Sequence, residues 1–150
     1  FSIGVAGFPE GHISCPDREL DAQYLKMKID SGANYIITQL FFDNQDYFTY
    51  VKRLRNKGIT NRVVPGIIPI TDYHGILRFC KICGSTMPKS VSNLFAPIAD
   101  DKEKILKQGI AFCVSQCRDL LEKGAPGIHF YSLNKIEPLK TILSQIKDLL

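Results

Sequence analysis

The sequence of 150 residues lacks the motifs that identify several common nucleotide-binding and hydrolytic folds. Gly4, Gly7 and Gly11 are spaced G-x-x-G-x-x-x-G, so the dinucleotide fingerprint G-x-G-x-x-G is missing, and there is no phosphate loop of the form G-x-x-x-x-G-K-[ST]. No Ser-His-Asp order, nucleophile elbow or close pair of carboxylates is present either. These absences argue against a Rossmann first turn, a P-loop nucleotide hydrolase and a carboxylate-dependent hydrolase.

Long apolar runs and clusters of positive charge are also lacking. The longest apolar runs, such as YIITQLFF, are far too short to span a bilayer. The net charge of +4 comes from Lys and Arg spread along the chain, and the densest patch, Lys52–Lys57, falls where a predicted helix ends and cations complement the helix dipole. We therefore expect neither a membrane nor a nucleic-acid partner.

The cysteines form neither a disulfide framework nor a metal site. Their number is odd, five, and their spacings are helical, which is typical of reduced thiols inside the cell. Cys80 and Cys83 resemble half of a zinc or redox motif, but no second C-x-x-C exists, and His12, His74 and His129 are scattered. We interpret the two cysteines as apolar positions on one helix face, and we expect a cytoplasmic protein without a metal.

Predicted strands and helices alternate along the chain. Strands are predicted at 2–8, 34–43, 62–70 and 127–133, and helices at 17–31, 44–57, 72–83, 88–95, 100–123 and from 137 onward. The near-continuous apolar run of the second strand suits a parallel strand that is covered on both faces. Phe1 opens directly in strand-like sequence with no basic leader, which suggests that upstream chain is missing.

Capping residues define the predicted helix ends. The expected N-caps are Ser14 or Asp17, Asp43 or Asn44, Thr71 for the third helix and Asn134 for the last helix. Glycines at 32, 58, 84 and 124 are expected to end four of the helices in the left-handed conformation.

The alternation fits two α/β architectures, an eightfold barrel and an open sheet. Four strand–helix units in 150 residues make about half of a barrel that typically has roughly 250 residues. Site-like residues follow the strands, and barrels place function on the face formed by the carboxyl ends of the strands. We predict strands five to eight of a (β/α)8 TIM barrel with the first half absent; an open flavodoxin-like sheet of four or five strands is the alternative.

Candidate site residues follow the first predicted strand. Gly7 and Gly11 permit close approach of the backbone to a ligand. Phe8 can cover an aromatic ring, and His12 can donate a hydrogen bond to a phosphate or carbonyl, unless it only bonds groups of its own loop.

Polar residues also lie in or after the second and fourth strands. Gln39 lies inside the apolar run of the second strand, where an unpaired amide costs about 1–3 kcal/mol, so it either reads the edge of a heterocycle or bonds neighbouring side chains. Tyr131, Asn134 and Lys135 follow the fourth strand, and Lys135 can hold a carboxylate or phosphate or remain solvated. Together these residues indicate a pocket for a planar heterocycle with an anionic group.

Four motifs, VAGFPEGH, DSGANYIITQLFFD, VVPGIIPI and HFYSLNK, together resemble the methylenetetrahydrofolate reductase family, most closely its eukaryotic members. They keep the order and spacing of the family over nearly the whole chain. The resemblance implies a (β/α)8 barrel with non-covalent FAD, reduced by NAD(P)H, that reduces 5,10-methylenetetrahydrofolate to 5-methyltetrahydrofolate for methionine synthesis. It also implies a homo-oligomer of the complete protein.

The resemblance assigns cofactor-binding roles to five residues. Phe8, where a tyrosine is frequent, and His12 would contact FAD. Asp21 and Lys28, on one face of the first helix, would reach its ribityl, phosphate or adenosine portion. Ala33, at a helix-to-strand turn, would affect how firmly FAD is held through packing.

The resemblance also assigns substrate-binding roles. Gln39 would hydrogen-bond the pterin, Phe79 would stack on the folate or the nicotinamide cofactor, and Lys135 stands where arginine is usual, without its bidentate fork. Gly75 replaces a glutamine that contacts substrate in some members. The catalytic glutamate of the family is expected upstream of Phe1, so the chain contains no catalytic residue and is expected to be inactive alone.

Two other functions remain open at the level of sequence. The chain can be a truncated or degenerate barrel fragment that acts only as a binding or dimerising module. It can also belong to another barrel enzyme, such as an aldolase or lyase, but such an enzyme needs a Schiff-base lysine within a strand, and no lysine here occupies one.

Overall fold

A computed structural model describes all residues, 1–150, as alternating parallel strands and helices. The strands are β1 Gly4–Gly7, β2 Tyr35–Thr38, β3 Arg62–Val64, β4 Gly66–Ile67 and β5 His129–Phe130. The helices are α1 Arg18–Asp30, α2 Asn44–Asn56, α3 Tyr73–Cys83, α4 Lys89–Phe95, α5 Lys102–Glu122 and α6 Ile136–Ile146, with 3₁₀ turns at Ala96–Ile98 and Lys147–Leu149. None of the helices combines the length and apolarity that crossing a membrane requires.

All strand pairs are parallel, and the strand order follows the chain order. β1 pairs with β2 and β2 with β3, with Gly7 opposite Thr38 and Ile37 opposite Val64, while β4 pairs with β5. Sequential order is the order of a singly wound barrel. It differs from the flavodoxin-like order 2-1-3-4-5, in which the first strand lies between the second and third.

The third predicted strand is divided at Pro65 into β3 and β4. Proline cannot donate to a ladder, and the chain bends there so that β4 leaves β2 and pairs with β5. Thr38 joins the two sheets, because its hydroxyl accepts a hydrogen bond from the Gly66 N–H at 2.8 Å and its carbonyl accepts one from the Tyr131 hydroxyl at 2.9 Å.

The strands are shorter than their apolar runs predict. Beyond Thr38 and Ile67 the chain leaves the ladders, but its apolar side chains remain buried because helices α3 and α4 cover them. Apolar pattern alone does not separate a buried strand from the buried segment that follows it. The same reason explains β5, which is two residues long where 127–133 was predicted.

Two apolar clusters hold the elements together. The larger lies between the sheet and helices α1, α2, α5 and α6, and the second lies at the carboxyl ends of the strands beneath α3 and α4. Helix α5 contributes to both, with Cys113 and Cys117 in the first and Ile105 in the second. Cys80 is buried in the second cluster, and burial raises the pKa of its thiol to about 11, so it occupies an apolar helix position as predicted.

The two faces of the sheet differ in coverage. Ile36 and Val63 point toward the helices and are 0% and 2% exposed. Ala6, Ile37 and Val64, which are level across β1, β2 and β3, point to the opposite face and are exposed or half-buried. Small and branched apolar residues on a partly uncovered face are typical of a barrel interior.

Helix ends follow the predicted chemistry with two corrections. Asp17 and Asp43 accept hydrogen bonds from the first-turn amides of α1 and α2, as expected. Asp72 rather than Thr71 caps α3, because its carboxylate accepts from the Gly75 N–H at 3.0 Å. Asn134 has a φ of 61° and caps nothing, and α6 begins after Lys135 without a side-chain cap.

The predicted glycine stops all have the expected conformation. Glycines 32, 58, 84 and 124 follow α1, α2, α3 and α5 with φ values of 108°, 74°, 71° and 91°.

Candidate functional site

The carboxyl ends of the strands share one edge of the molecule. The Gln39 N–H donates to the Gly7 carbonyl at 2.7 Å, which places Phe8 and Gln39 side by side beyond β1 and β2. The Tyr131 N–H donates to the Ile67 carbonyl at 2.8 Å, which continues the same edge from β4 to β5. The predicted meeting of strand ends is therefore present.

The loop after β1 is ordered by its own hydrogen bonds. The Gly11 N–H donates to the Phe8 carbonyl at 3.0 Å, and Gly11 has a φ of 94°, which favours glycine. The Phe8 and His12 rings meet edge to face with centroids 4.6 Å apart. The Ser14 N–H donates to Nδ1 of His12 at 3.1 Å, so the neutral ring carries its proton on Nε2, where it can be donated to a ligand.

A groove of about 700 Å³ runs along β1 and α1, and it is lined by all five residues predicted to bind the cofactor. Phe8 and His12 lie at its carboxyl end, Asp21 and Lys28 come from α1, and Ala33 lies at its amino end. Ile3, Tyr24 and Met27, all at least half exposed, add an apolar wall. The family resemblance assigned Asp21 and Lys28 to the cofactor, whereas the apolar wall was not predicted.

Asp21 is the most unusual residue of the groove. It is only 9% exposed, and its carboxylate makes no hydrogen bond or ion pair within the chain, although its N–H donates to the Asp17 carbonyl at 2.9 Å. Burial raises the pKa of its carboxyl, and the nearby charges of His12, Lys28 and Arg53 oppose that shift. Its oxygens are not fully enclosed by the chain, so they can accept hydrogen bonds from water or from a ligand in the groove.

Ala33 lies at the opposite end of the groove from Phe8. It is 8% exposed, its N–H donates to the Lys28 carbonyl at 3.2 Å, and its carbonyl accepts from the Asn61 amide at 3.2 Å. Ala33 therefore fixes the join between α1 and β2, and a larger side chain there would shift the helix that carries Asp21 and Lys28.

Gln39 has a free donor at the carboxyl edge. Its Oε1 accepts from the N–H of the next residue, Leu40, at 3.0 Å, and its Nε2 has no partner within the chain. No neighbouring side chain of this chain satisfies the amide, and its one partner is a backbone N–H.

The three predicted substrate residues do not share one cavity. Lys135 donates to the Thr71 hydroxyl at 2.9 Å and lines a second cavity of about 800 Å³ between the starts of α3, α5 and α6. Phe79 is 37% exposed on α3, and neither Phe79 nor Gln39 lines that cavity. Sequence reasoning missed Thr71 and His74 as members of it, although both follow β4 in the way that Lys135 follows β5.

Gly75 lies in the first turn of α3, next to the flexible carboxylate that caps the helix. A Cβ at this position would overlap the Asp72 carboxylate that caps α3. The space for a glutamine side chain is thus partly taken by the cap.

Comparisons with known proteins agree on one family. The sequence model described as "Methylenetetrahydrofolate reductase" matches residues 1–147. The chain belongs to the methylenetetrahydrofolate reductase family.

Relatives within the methylenetetrahydrofolate reductase family come from animals, plants and bacteria. The chain is 40% identical over 147 residues to "Probable methylenetetrahydrofolate reductase (NADPH)" of Caenorhabditis elegans, covering 97% of this chain and 22% of the relative. It is 37% identical over 143 residues to "Methylenetetrahydrofolate reductase (NADH) 1" of Arabidopsis thaliana, covering 89% and 24%. It is 32% identical over 137 residues to "5,10-methylenetetrahydrofolate reductase" of Escherichia coli, covering 91% and 46%.

A solved structure supports the α/β fold of this methylenetetrahydrofolate reductase chain. It is an uncharacterised protein from Clostridium thermocellum that binds two copies of 5-methyl-5,6,7,8-tetrahydrofolic acid. The TM-score is 0.61 at 20% identity, and the match covers 99% of this chain and 53% of that one. The chain thus spans about half of that protein, and between a fifth and a half of the three relatives.

Proposed function

We propose that the chain is the C-terminal half of a (β/α)8 barrel that reduces 5,10-methylenetetrahydrofolate to 5-methyltetrahydrofolate with NAD(P)H through bound FAD. Family membership and the parallel strands in sequential order support the barrel. The partly uncovered face of Ala6, Ile37 and Val64 supports further strands that close it. The observation that carries the cofactor is the Asp21 carboxylate, which faces the β1–α1 groove between His12 and Lys28 and has no partner within the chain.

The chemistry of the groove fits an adenine dinucleotide. The Asp21 carboxylate can accept hydrogen bonds from sugar hydroxyls, and the His12 Nε2–H and the Lys28 ammonium can neutralise phosphates. Phe8 offers an aromatic edge at the carboxyl end of the groove. When bound, FAD supplies hydride transfer between the reductant and the folate, while these side chains bind and orient it.

The substrate would lie at the carboxyl edge beside this groove. The free Gln39 amide donor suits the polar edge of a pterin, and the exposed Phe79 ring suits stacking on a planar group. Lys135 suits a carboxylate of the folate.

The reductant is a reduced nicotinamide cofactor. Relatives carry NADPH or NADH in their names, which supports this class without choosing between the two. The product would serve methionine synthesis in one-carbon metabolism, in the cytoplasm, and the full-length protein would act as a homo-oligomer.

Spectroscopy of the full-length protein tests the proposal. We expect a bound flavin spectrum that bleaches when NADPH or NADH is added without oxygen and returns when 5,10-methylenetetrahydrofolate follows. Lys28→Ala should weaken FAD binding about tenfold through the loss of one charge-assisted contact. The control Lys26→Ala changes a lysine of the same helix that pairs with Asp30 at 2.7 Å, and it should leave binding unchanged.

Two results would contradict the proposal in different ways. A protein without bound flavin would refute the cofactor assignment. Flavin that binds but never bleaches with either nicotinamide would instead support the alternative of a non-catalytic binding module.

A further inference from the structure

Glu10 joins two loops that are distant in the sequence. Both oxygens of its carboxylate accept the Thr86 N–H, at 3.0 and 2.9 Å. Two neighbouring contacts hold the same junction: Ile13 packs against the backbone of Gly84, and the Ser85 hydroxyl donates to the Leu40 carbonyl at 2.8 Å. The β1–α1 loop is thereby fixed to the α3–α4 connection.

Glu10 lies between the two residues that present ring groups to the groove. Phe8 precedes it by two positions and His12 follows by two, and the Gly11 N–H to Phe8 carbonyl bond closes the turn around it. Pro9 beside it is buried. A contact that fixes Glu10 therefore fixes the positions of both rings.

We propose that Glu10 is a positioning residue that holds Phe8 and His12 in their cofactor-binding geometry by accepting the Thr86 amide hydrogen. This inference rests on the proposed function, because it concerns the same cofactor. It assigns to Glu10 a role that acts through Phe8 and His12 rather than through contact with the ligand.

The contact is suited to ordering a loop more than to stabilising the fold. Thr86 is exposed and Glu10 is half-buried, so water competes for both partners and little core packing depends on them. Ligand binding, in contrast, loses free energy to the entropy of any loop that must become ordered in the complex. Pre-ordering the Phe8–His12 turn improves affinity without a new ligand contact.

The junction also links the two halves of the proposed site. Thr86 lies three residues beyond the end of α3, the helix that carries Phe79. The β1–α1 loop, which carries Phe8 and His12, is thus fixed to the end of α3, which carries Phe79. Removal of the Glu10 contact is therefore expected to affect both the cofactor side and the substrate side of the site.

The test is fluorescence titration of the full-length apoprotein with FAD, because bound flavin changes its emission. Glu10→Ala should weaken binding about five- to twentyfold, whereas Glu10→Gln, which keeps one acceptor oxygen, should stay within about threefold. Thr86→Pro removes the backbone donor and should reproduce the loss, while Thr86→Ala keeps the donor and should not. Glu103→Ala, an exposed glutamate without an ion pair on α5, is the control for charge.

The double variant and the thermal midpoint separate positioning from general stability. Glu10→Ala combined with Thr86→Pro should bind FAD no more weakly than either single variant, because both remove the same contact. Thermal midpoints should stay within about 4 °C of the unchanged protein.

Three outcomes would overturn the inference. The first is an affinity of Glu10→Ala for FAD equal to that of the unchanged protein. The second is a double variant whose loss of affinity is the product of the two single losses. The third is a loss of affinity that appears only together with a large fall in thermal midpoint. Absence of flavin binding by the unchanged protein would remove the proposed function and this inference together, which distinguishes it from the other results.

Discussion

At the scale of single residues, Asp21 combines low exposure with a carboxylate that no other group of the chain pairs. Asp21 lies in the first turns of α1 and is nearly covered, yet the cations around it do not reach ion-pair distance. Its acidic position near the helix N-terminus is favourable, but that interaction is small at about 0.3–1 kcal/mol. Within the chain its carboxylate therefore keeps acceptor capacity that water or a ligand can use.

Asp21→Asn should increase the stability of the ligand-free protein at neutral pH by about 1 kcal/mol and weaken FAD binding. Burial raises the folded-state pKa of Asp21, so the folded chain binds this proton more tightly than the unfolded chain does. The stability that protonation contributes is complete below the ordinary pKa of 3.8 and is lost as the pH rises through the folded-state value.

Urea unfolding without flavin at pH 4 and pH 7 measures this effect. The advantage of Asp21→Asn should be larger at pH 7 and nearly absent at the lower pH. Glu103→Gln, at an exposed position in the first turn of α5 without an ion pair, serves as the control. Destabilisation by Asp21→Asn at pH 7 would contradict the account.

Two tyrosines on α2 give a second prediction at this scale. The buried hydroxyl of Tyr47 donates to the Val63 carbonyl at 2.8 Å, whereas that of Tyr50 is buried without a hydrogen-bond partner. Tyr47→Phe should lose about 1–3 kcal/mol of unfolding free energy because it strands a buried carbonyl, and Tyr50→Phe should be neutral or slightly stabilising. Urea denaturation compares the two, and equal losses would refute the assignment.

Single residues were predictable where chemistry is local. His12 was expected to donate from its loop, and the Ser14 amide now fixes the tautomer that allows it. Thr71 was expected to cap α3 because it follows an apolar run, but Asp72 does so one position later. Residue type already favoured Asp72, because aspartate is a stronger N-cap than threonine.

At the scale of elements, helix α5 is the part that joins the two apolar clusters. It is 21 residues long and crosses the end of β4, where Gly109 lies directly over the Ile70 carbonyl. Any side chain there would overlap that oxygen. The glycine is therefore required by close packing and not by backbone conformation.

Gly109→Ala should destabilise the protein by about 1–3 kcal/mol, although alanine is the better helix former by about 1 kcal/mol. The reason is that α5 must move away from Ile70 and so loosen both clusters. Ala111→Gly, at an exposed position of the same helix, should lose only the propensity term. Thermal unfolding measures both, and stabilisation by Gly109→Ala would show that the contact is absent.

The ends of the helices were predicted more accurately than the extents of the strands. Four glycine stops identified the ends of α1, α2, α3 and α5 correctly. The extents of β2 and β5 were too long, because the sequence cannot show where an apolar segment leaves the ladder and passes under α3. The split at Pro65 had a signal, since two prolines in one predicted strand require a bend or an edge.

At the scale of the whole molecule, the site depends on which strands are neighbours. Parallel order alone brings Phe8 and Gln39 to one edge, and this was predictable from the alternation of strands and helices. The separation of Lys135 from the β1–α1 groove was not, because it depends on the bend after β3 that sends β4 and β5 into a second sheet. Long-range geometry of this kind has no local sequence signal.

The same topology leaves every strand except β2 with one neighbour, and the free edge of β1 gives a prediction for the isolated 150-residue chain. Free strand edges pair with other chains, and the edge of β1 is flanked by exposed Ile3 and Phe1. We expect concentration-dependent association in sedimentation velocity, which Ile3→Lys should weaken about tenfold, or about 1.4 kcal/mol. In a closed barrel, strands from the rest of the protein would cover these edges.

Ile82→Lys is the matched control for this prediction, because Ile82 is 72% exposed on α3 and Ile3 is 54% exposed beside β1. If general surface hydrophobicity drove association, Ile82→Lys would weaken association more than Ile3→Lys, because Ile82 is the more exposed residue. If strand pairing drives it, only Ile3→Lys acts, since a charge at a free edge opposes the approach of a second strand. A chain that stays monomeric at all concentrations would show that its edges are protected without further strands, and it would weaken the case for a half-barrel.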